Sequence, residues 1–219
     1  MHSALGKLFL GCILATFLSS SISDKPKILI IGDSISIGYT PFVKKTMEPK
    51  AEVYHNPGNA QHTGTGLKKI DEWLGDTRWD IVQFNWGLWD LCYRDSDSKE
   101  QGNRDKAKGK ITFSVEEYAA NLDSLVSIIE SKTDAKLIFV CTTMVPENEA
   151  GRFAKDPQIY NKAAKKIMRK HKVLVNDLYK PSVPIHAEYG KGSNDVHYTP
   201  EGYEKLASHV VSFLNSQLK

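Results

Sequence analysis

Residues 28–41 read ILIIGDSISIGYTP, an aliphatic run that stops at Gly-Asp-Ser and hands over to a more polar segment. Ser34 at that junction has two readings: a small residue in a turn, or a nucleophile presented at the end of a strand. A serine hydroxyl reacts near neutral pH only with a base in hydrogen-bond reach, a group that orients the base, and donors for the oxyanion. Seven histidines are available as that base. His2 lies in an apolar leader, His209 in a helical pattern, and His171 beside the basic run KKIMRK. His55 and His62 flank a turn-rich loop, and His186 follows PSVPI. His197 stands in GSNDVHYTPEGY, next to an acid and just ahead of a capped helix. It is the best-placed base.

Other chemistries find little support. The glycines of NPGNAQHTGTG lack the Gly-Lys-Ser/Thr of a phosphate-binding loop. The three cysteines, Cys12, Cys92 and Cys141, form no CxxC and no cluster with histidine, so neither a metal site nor a disulfide framework is expected. Cys141 in KLIFVCTT reads as a small buried hydrophobe, although an exported chain could pair it with Cys92. A net charge of +3, spread along the chain, argues against nucleic acid and acidic membrane surfaces as partners. KKIMRK reads as the solvated face of a helix.

These residues need a scaffold. With 219 residues, 41% hydrophobic and 25% charged, the chain suits one domain with a substantial core. Strands are expected at 27–32, 51–55, 79–87, 135–143 and 171–177. Helices are expected near 40–47, 65–75, 115–132, 157–170 and 200–217. In the third helix Val115, Tyr118, Ala119, Leu122, Leu125, Val126 and Ile129 share one stripe, and Ser114 with Glu117 reads as a capping box. Thr199-Pro200-Glu201 opens the last helix with a cap and a first-turn proline. Strands alternating with helices imply βαβ units, a parallel sheet, and ligand sites beyond the strands' carboxyl ends. Ser34 falls on that edge. The polar stretch 93–112 is too long for a simple connection and reads as a functional or disordered loop.

The first 23 residues differ from the rest. Lys7, an apolar run over 8–18 and the small residues SSSIS have the order of a secretory signal, with cleavage expected before Asp24. The run is too short for a stable membrane anchor, and a lipoprotein reading through Cys12 is weaker. The expected layout is therefore a signal peptide at 1–23 and a single domain at 24–219, exported to the periplasm or the medium.

GDSISIGY after the first strand and DVHYTPEGY before the last helix resemble the first and last sequence blocks of the SGNH hydrolases, the GDSL-type esterase superfamily, in its exported bacterial form. The resemblance implies a three-layer α/β/α sandwich around a parallel five-stranded sheet, and cofactor-free, metal-free hydrolysis of esters. It implies Ser34 as nucleophile and His197 as base. The Ser34 amide would be one oxyanion donor, and a glycine of the loop after the second strand another, here Gly58, with Asn59 or Gly64 as alternatives. Two positions depart from the pattern. The third block, Gly-x-Asn-Asp, reads Gly87-Leu88-Trp89-Asp90, so tryptophan replaces the donor asparagine, and Asn85 is the candidate to compensate. The orienting acid, expected three residues before the histidine, is Asn194, whereas Asp195 lies two before. A carboxylate stabilises an imidazolium better than an amide does, which favours Asp195.

Trp89, Arg94, Glu147, Asn194 and Arg152 are candidate substrate contacts, and Trp86 is either a sugar-stacking ring or core. Asp33 and Asp90 read as structural loop acids. The expected activity is removal of an O-acyl group, in the first place O-acetyl, from a carbohydrate through an acyl-enzyme, with a small-molecule or polysaccharide ester as substrate. The two departures keep a catalytically impaired carbohydrate-binding protein in view, and a lipid acylhydrolase is the third reading.

Overall fold

The computed structural model describes residues 25–218, so the expected signal segment lies outside the described residues. In chain order the elements are β1 (Lys27–Ile31), α1 (Ser34–Met47), β2 (Glu52–His55), α2 (Thr63–Leu74), β3 (Ile81–Phe84), β4 (Tyr93–Arg94) and β5 (Lys110–Ile111). They continue with α3 (Val115–Lys132), β6 (Lys136–Val140), α4 (Asp156–Lys170), β7 (Leu174–Asn176), α5 (Tyr179–Tyr189) and α6 (Pro200–Gln217). Five strands form one parallel sheet in the order β2-β1-β3-β6-β7. Its inner strands are apolar runs buried on both faces, which only a sheet covered on both sides can use. The chain moves outward from β1 to β2 and then back past β1 to β3. Right-handed crossovers therefore place α1 on one face and α2, α3 and α4 on the other. The helix contacts agree: α1 packs on α6 and α6 on α5, while α2, α3 and α4 pack in a row. The result is the expected three-layer α/β/α sandwich.

Local signals explain the best-defined elements. The Ser114–Glu117 capping box is formed, and the stripe of α3 buries Tyr118, Leu122, Leu125, Val126 and Ile129. The Thr199 hydroxyl caps α6 by accepting from the Gly202 amide. Gly38 lets α1 and α6 approach, since a Cβ there would overlap the Tyr203 ring. Trp86 is fully buried between Trp73 and Phe84, so it is core and not a sugar platform. A side chain of that kind stabilises the fold by at least about 1.5–3 kcal/mol. Among the described residues no helix is long and apolar enough to cross a membrane. Cys92 and Cys141 are buried and unbonded.

Two regions differ from expectation. The stretch 93–112 is an ordered arm in which β4 and β5 pair antiparallel and Arg94 bridges to Arg104. Helix α5, over 179–189, is absent from the expected elements because Pro181 and Pro184 read as breakers. Pro181 sits in its first turn, where no intrahelical N–H is needed, and Pro184 is carried inside the helix.

Candidate active site

Three loops at the carboxyl edge of the sheet converge on the end of β1, where the strand order reverses. Asp33 caps α1, its carboxylate accepting from the Ile35 amide at 3.0 Å, so Ser34 is the first helical residue. Its own amide has no partner among the described residues and belongs to the positive end of the helix. The turn is held from behind. Asn56, buried at the end of β2, accepts from the Gly32 amide at 2.9 Å, and the Gly32 carbonyl accepts from the Ala60 amide at 3.0 Å. A Cβ on Gly32 would lie 2.6 Å from Ser36 Oγ, so a glycine is required there. Ser36 Oγ in turn donates to the Asp33 carbonyl and lies 2.7 Å from His55 Nε2.

Ser34 Oγ lies 2.8 Å from His197 Nε2 across 163 residues of sequence. On the other side of the ring, His197 Nδ1 lies 2.5 Å from Asp195 Oδ1, which also accepts from the His197 amide at 2.9 Å. Burial alone would raise the Asp195 carboxyl, but the hydrogen bonds and charge of His197, with Lys191, outweigh it and hold the group below the usual range. An ionised carboxylate only accepts, so Nδ1 carries the proton and Nε2 faces Ser34 as an acceptor. Asn194 is exposed and makes no hydrogen bond to the ring among the described residues.

The histidine loop is positioned by α5. His186, buried on that helix, donates from Nε2 to the Asp195 carbonyl at 2.7 Å and packs edge-on against Tyr198. The loop is closed by the Gly190–Tyr198 bridge and by the Thr199 amide donating to the Tyr189 carbonyl at 2.8 Å.

The other expected residues are placed as follows. Gly58 lies at the exposed bend of the loop after β2 with φ +68°, and its carbonyl accepts from Asn56. Three residues on, Gln61 adopts φ +52°, a left-handed conformation that costs a non-glycine residue about 1 kcal/mol. Asn85 donates from Nδ2 to the Val140 carbonyl at 2.7 Å and lies 3.5 Å from Thr142 Oγ1, so this amide ties β3 to β6. Trp89 is half-buried, with the Arg94 guanidinium 4.8 Å from its ring centroid. Glu147 is exposed. Arg152 is not a substrate-facing side chain: it is buried, donates to the Leu88 carbonyl at 2.6 Å and pairs with Glu149 at 2.8 Å.

Two buried acids stand behind the nucleophile. Burial raises Asp33 above the usual carboxylate range, against the pull of the Ile35 amide, Arg152 and His197. Burial pushes Asp90 up to about 7, against hydrogen bonds from Thr63, whose amide and hydroxyl both donate to its Oδ1. Both acids are structural ties, as their turn positions imply. Asn56, Ser36, His55 and His186 carry no sequence signal beyond lying near strand and helix ends. Among the described residues, no group of three or more His, Cys, Asp and Glu side chains is placed to hold a metal ion.

A serine at the strand-order reversal, an imidazole on it and a carboxylate behind the imidazole define a nucleophilic hydrolase arrangement on a flavodoxin-like sheet. Residues 30–205 match the GDSL-like lipase/acylhydrolase family, and the chain belongs to it, which makes it a carboxylic ester hydrolase by class. Solved structures share the fold. A lipase/acylhydrolase from Enterococcus faecalis superposes with a TM-score of 0.67 at 21% identity, over 89% of this chain and 97% of that one. An acetylxylan esterase from Geobacillus stearothermophilus gives 0.67 at 18% identity, over 86% and 94%. The acetyl xylan esterase AlAXEase gives 0.68 at 13% identity, over 86% and 99%. A search of curated proteins finds no match.

Proposed function

We propose that this protein removes a small O-acyl group, in the first place acetyl, from a carbohydrate through an acyl-enzyme on Ser34. The observation that carries the reading is the 2.8 Å approach of Ser34 Oγ to His197 Nε2, with Asp195 on the far nitrogen. His197 takes the serine proton as Oγ attacks the ester carbonyl. The oxyanion rests on the Ser34 amide at the start of α1, with the Gly58 loop supplying the second donor. Collapse of the tetrahedral adduct expels the alcohol, protonated by His197. Water, deprotonated by the same ring, then releases the acid and restores Ser34. The half-buried Trp89 and the sharing of this fold with two acetylxylan esterases support a carbohydrate ester. The leader-like segment at 1–23 supports export of a single domain over 24–219.

The test is turnover of a short-chain aryl acetate by the purified protein and by Ser34→Ala, followed by acetate release from acetylated polysaccharides. Turnover that disappears in Ser34→Ala is expected. Absence of any Ser34-dependent turnover refutes the reading and sends the protein to glycan-binding assays.

A further inference from the structure

The peptide unit joining Asp33 to Ser34 carries the amide that the ester-hydrolase reading uses as an oxyanion donor. Its two ends are treated differently. The Asp33 carbonyl accepts from the Ile37 amide at 3.0 Å and from the Ser36 hydroxyl at 2.8 Å, so both of its lone pairs are engaged. The Ser34 amide has no partner among the described residues. A serine in the first turn of a helix commonly bonds back to a carbonyl three residues before it. A second contact goes beyond that local habit: across 19 residues of sequence, Ser36 Oγ lies 2.7 Å from His55 Nε2. Ser36 is buried, and His55 ends β2 half-buried. On the other side of the ring, His55 Nδ1 lies 2.8 Å from the Asn56 carbonyl. A carbonyl only accepts, so Nδ1 carries the ring proton. Burial, with the charge of Lys44 on α1 adding to it, outweighs the Asn56 bond and lowers the His55 pKa, so the ring is neutral near pH 7 and Nε2 is an acceptor. The single hydroxyl hydrogen of Ser36 is therefore shared between the Asp33 carbonyl and His55 Nε2.

These contacts join the two sides of the oxyanion site. One side is the Ser34 amide at the start of α1, and the other is the loop that begins at Asn56 and carries Gly58. The ring of His55 reaches from that loop to the hydroxyl that holds the nucleophile turn. Resting on the ester-hydrolase reading, we infer that Ser36 and His55 are positioning residues for the oxyanion. Ser36 fixes and polarises the peptide unit whose N–H receives the charge, and His55 holds that hydroxyl against the loop after β2. The polarisation follows from peptide resonance: a hydrogen bond at the oxygen draws electron density from the nitrogen and makes the N–H a stronger donor. Such cooperativity amounts to about 10–30% per bond, and an oxyanion donor is worth about 10²–10³ in kcat. On a log scale the Ser36 hydroxyl then contributes about twofold to eightfold.

The experiment measures kcat and KM for an aryl acetate, the inhibition constant of phenylboronic acid, and Tm, on wild type, Ser36→Ala, Ser36→Thr and His55→Phe. Phenylboronic acid adds to a serine hydroxyl as a tetrahedral anion and so reports on the oxyanion site without turnover. Ser36→Ala is expected to lower kcat about twofold to eightfold. The tetrahedral adducts of acylation and deacylation use the same donor, so both steps slow together and KM should change by less than about twofold. The boronate should bind more weakly by the same factor as the loss in kcat. Ser36→Thr, which keeps a hydroxyl, should recover more than half of that loss on a log scale. His55→Phe keeps a ring without its nitrogens and should lower kcat and boronate affinity together. The double variant should be no slower than the slower single one, because both act on one hydrogen bond network. Folded Ser36→Ala with the kcat of wild type, a loss confined to KM or Tm, or an unchanged boronate constant overturns the inference. So does Ser36→Thr no better than Ser36→Ala. If Ser36→Ala does not fold, His55→Phe, at a half-buried position, decides by the same kcat, KM and boronate criteria. Wild-type kcat in these variants overturns this inference alone, whereas absence of Ser34-dependent turnover in the wild-type protein overturns the esterase reading and this inference with it.

Discussion

Asp195→Asn isolates what a negative charge contributes behind His197. Both hydrogen bonds from His197, from the ring and from the main chain, end on the same Oδ1. An asparagine that keeps its carbonyl oxygen at that point preserves the geometry and removes only the charge that stabilises the imidazolium. In a buried triad the equivalent change lowers kcat by about 10⁴, partly by imposing the wrong tautomer. Here the Asp195 side chain is 37% exposed, so water screens part of the interaction and the tautomer-fixing acceptor remains. The expected loss is about 10²-fold in kcat/KM, or about 2.7 kcal/mol at about 1.36 kcal/mol per decade. Asp195→Ala also removes the acceptor and the turn it makes, and should cost about tenfold more. Asn194→Ala, at an exposed position without a bond to the ring, should cost less than about threefold. The assay is steady-state hydrolysis of an aryl acetate, with Tm measured on each variant to separate folding from chemistry. If Asp195→Asn loses less than about fivefold, or if Asn194→Ala is the more damaging change, the assignment of Asp195 as the orienting acid is wrong.

Two further predictions concern the frame. Asn56→Ala leaves the buried Gly32 amide without its acceptor, and should destabilise the fold by about 1–3 kcal/mol, a Tm decrease of roughly 2–12 °C by thermal melting. Because the bond braces the nucleophile turn, kcat/KM should fall as well, and unchanged kcat/KM in folded Asn56→Ala would contradict that bracing role. His171 lies 2.6 Å from Asp123 and 2.9 Å from Glu130 at the ends of its ring, joining α3 to the end of α4. Burial alone would lower its pKa, but the hydrogen bonds and charges of those two acids outweigh it and raise the pKa. Its contribution is therefore fully present below the unfolded value of about 6.5 and is lost as pH rises through the folded value. Asp123, held low by Lys170 and then His171, loses its share as pH falls below about 4. The Tm gap between wild type and His171→Gln should be widest near pH 5–6 and close above neutrality, and a gap that widens with rising pH would contradict this assignment.

Much of the frame can be read from local pattern because each element announces itself within a few residues. An unbroken apolar run specifies a strand buried on both faces, a period of 3.6 with a capping box specifies α3, and a Thr-Pro start specifies α6. The same pattern puts Ser34 at a strand's carboxyl end and His197 ahead of the last helix. Helix α5 escapes such reading because its two prolines mimic a loop, although one lies where no N–H is missed and the packing of Ser182, Ile185 and His186 carries the other.

The amino-acid sequence by itself determines the layer order, the family and which residue types stand near the reacting edge. Only the tertiary structure decides which of them meet. It is the closure of the loop against α5 that sets Asp195, and not Asn194, on the imidazole. It is sheet packing that sends Trp86 into the core and commits the Asn85 amide to β6. It is the buried Glu149 that gathers Arg152 and Arg104, residues remote from each other in the chain, on one carboxylate. Propensity and periodicity act over a turn of helix or a strand pair, whereas partner choice among charged and polar groups is settled by contacts between residues remote in the chain.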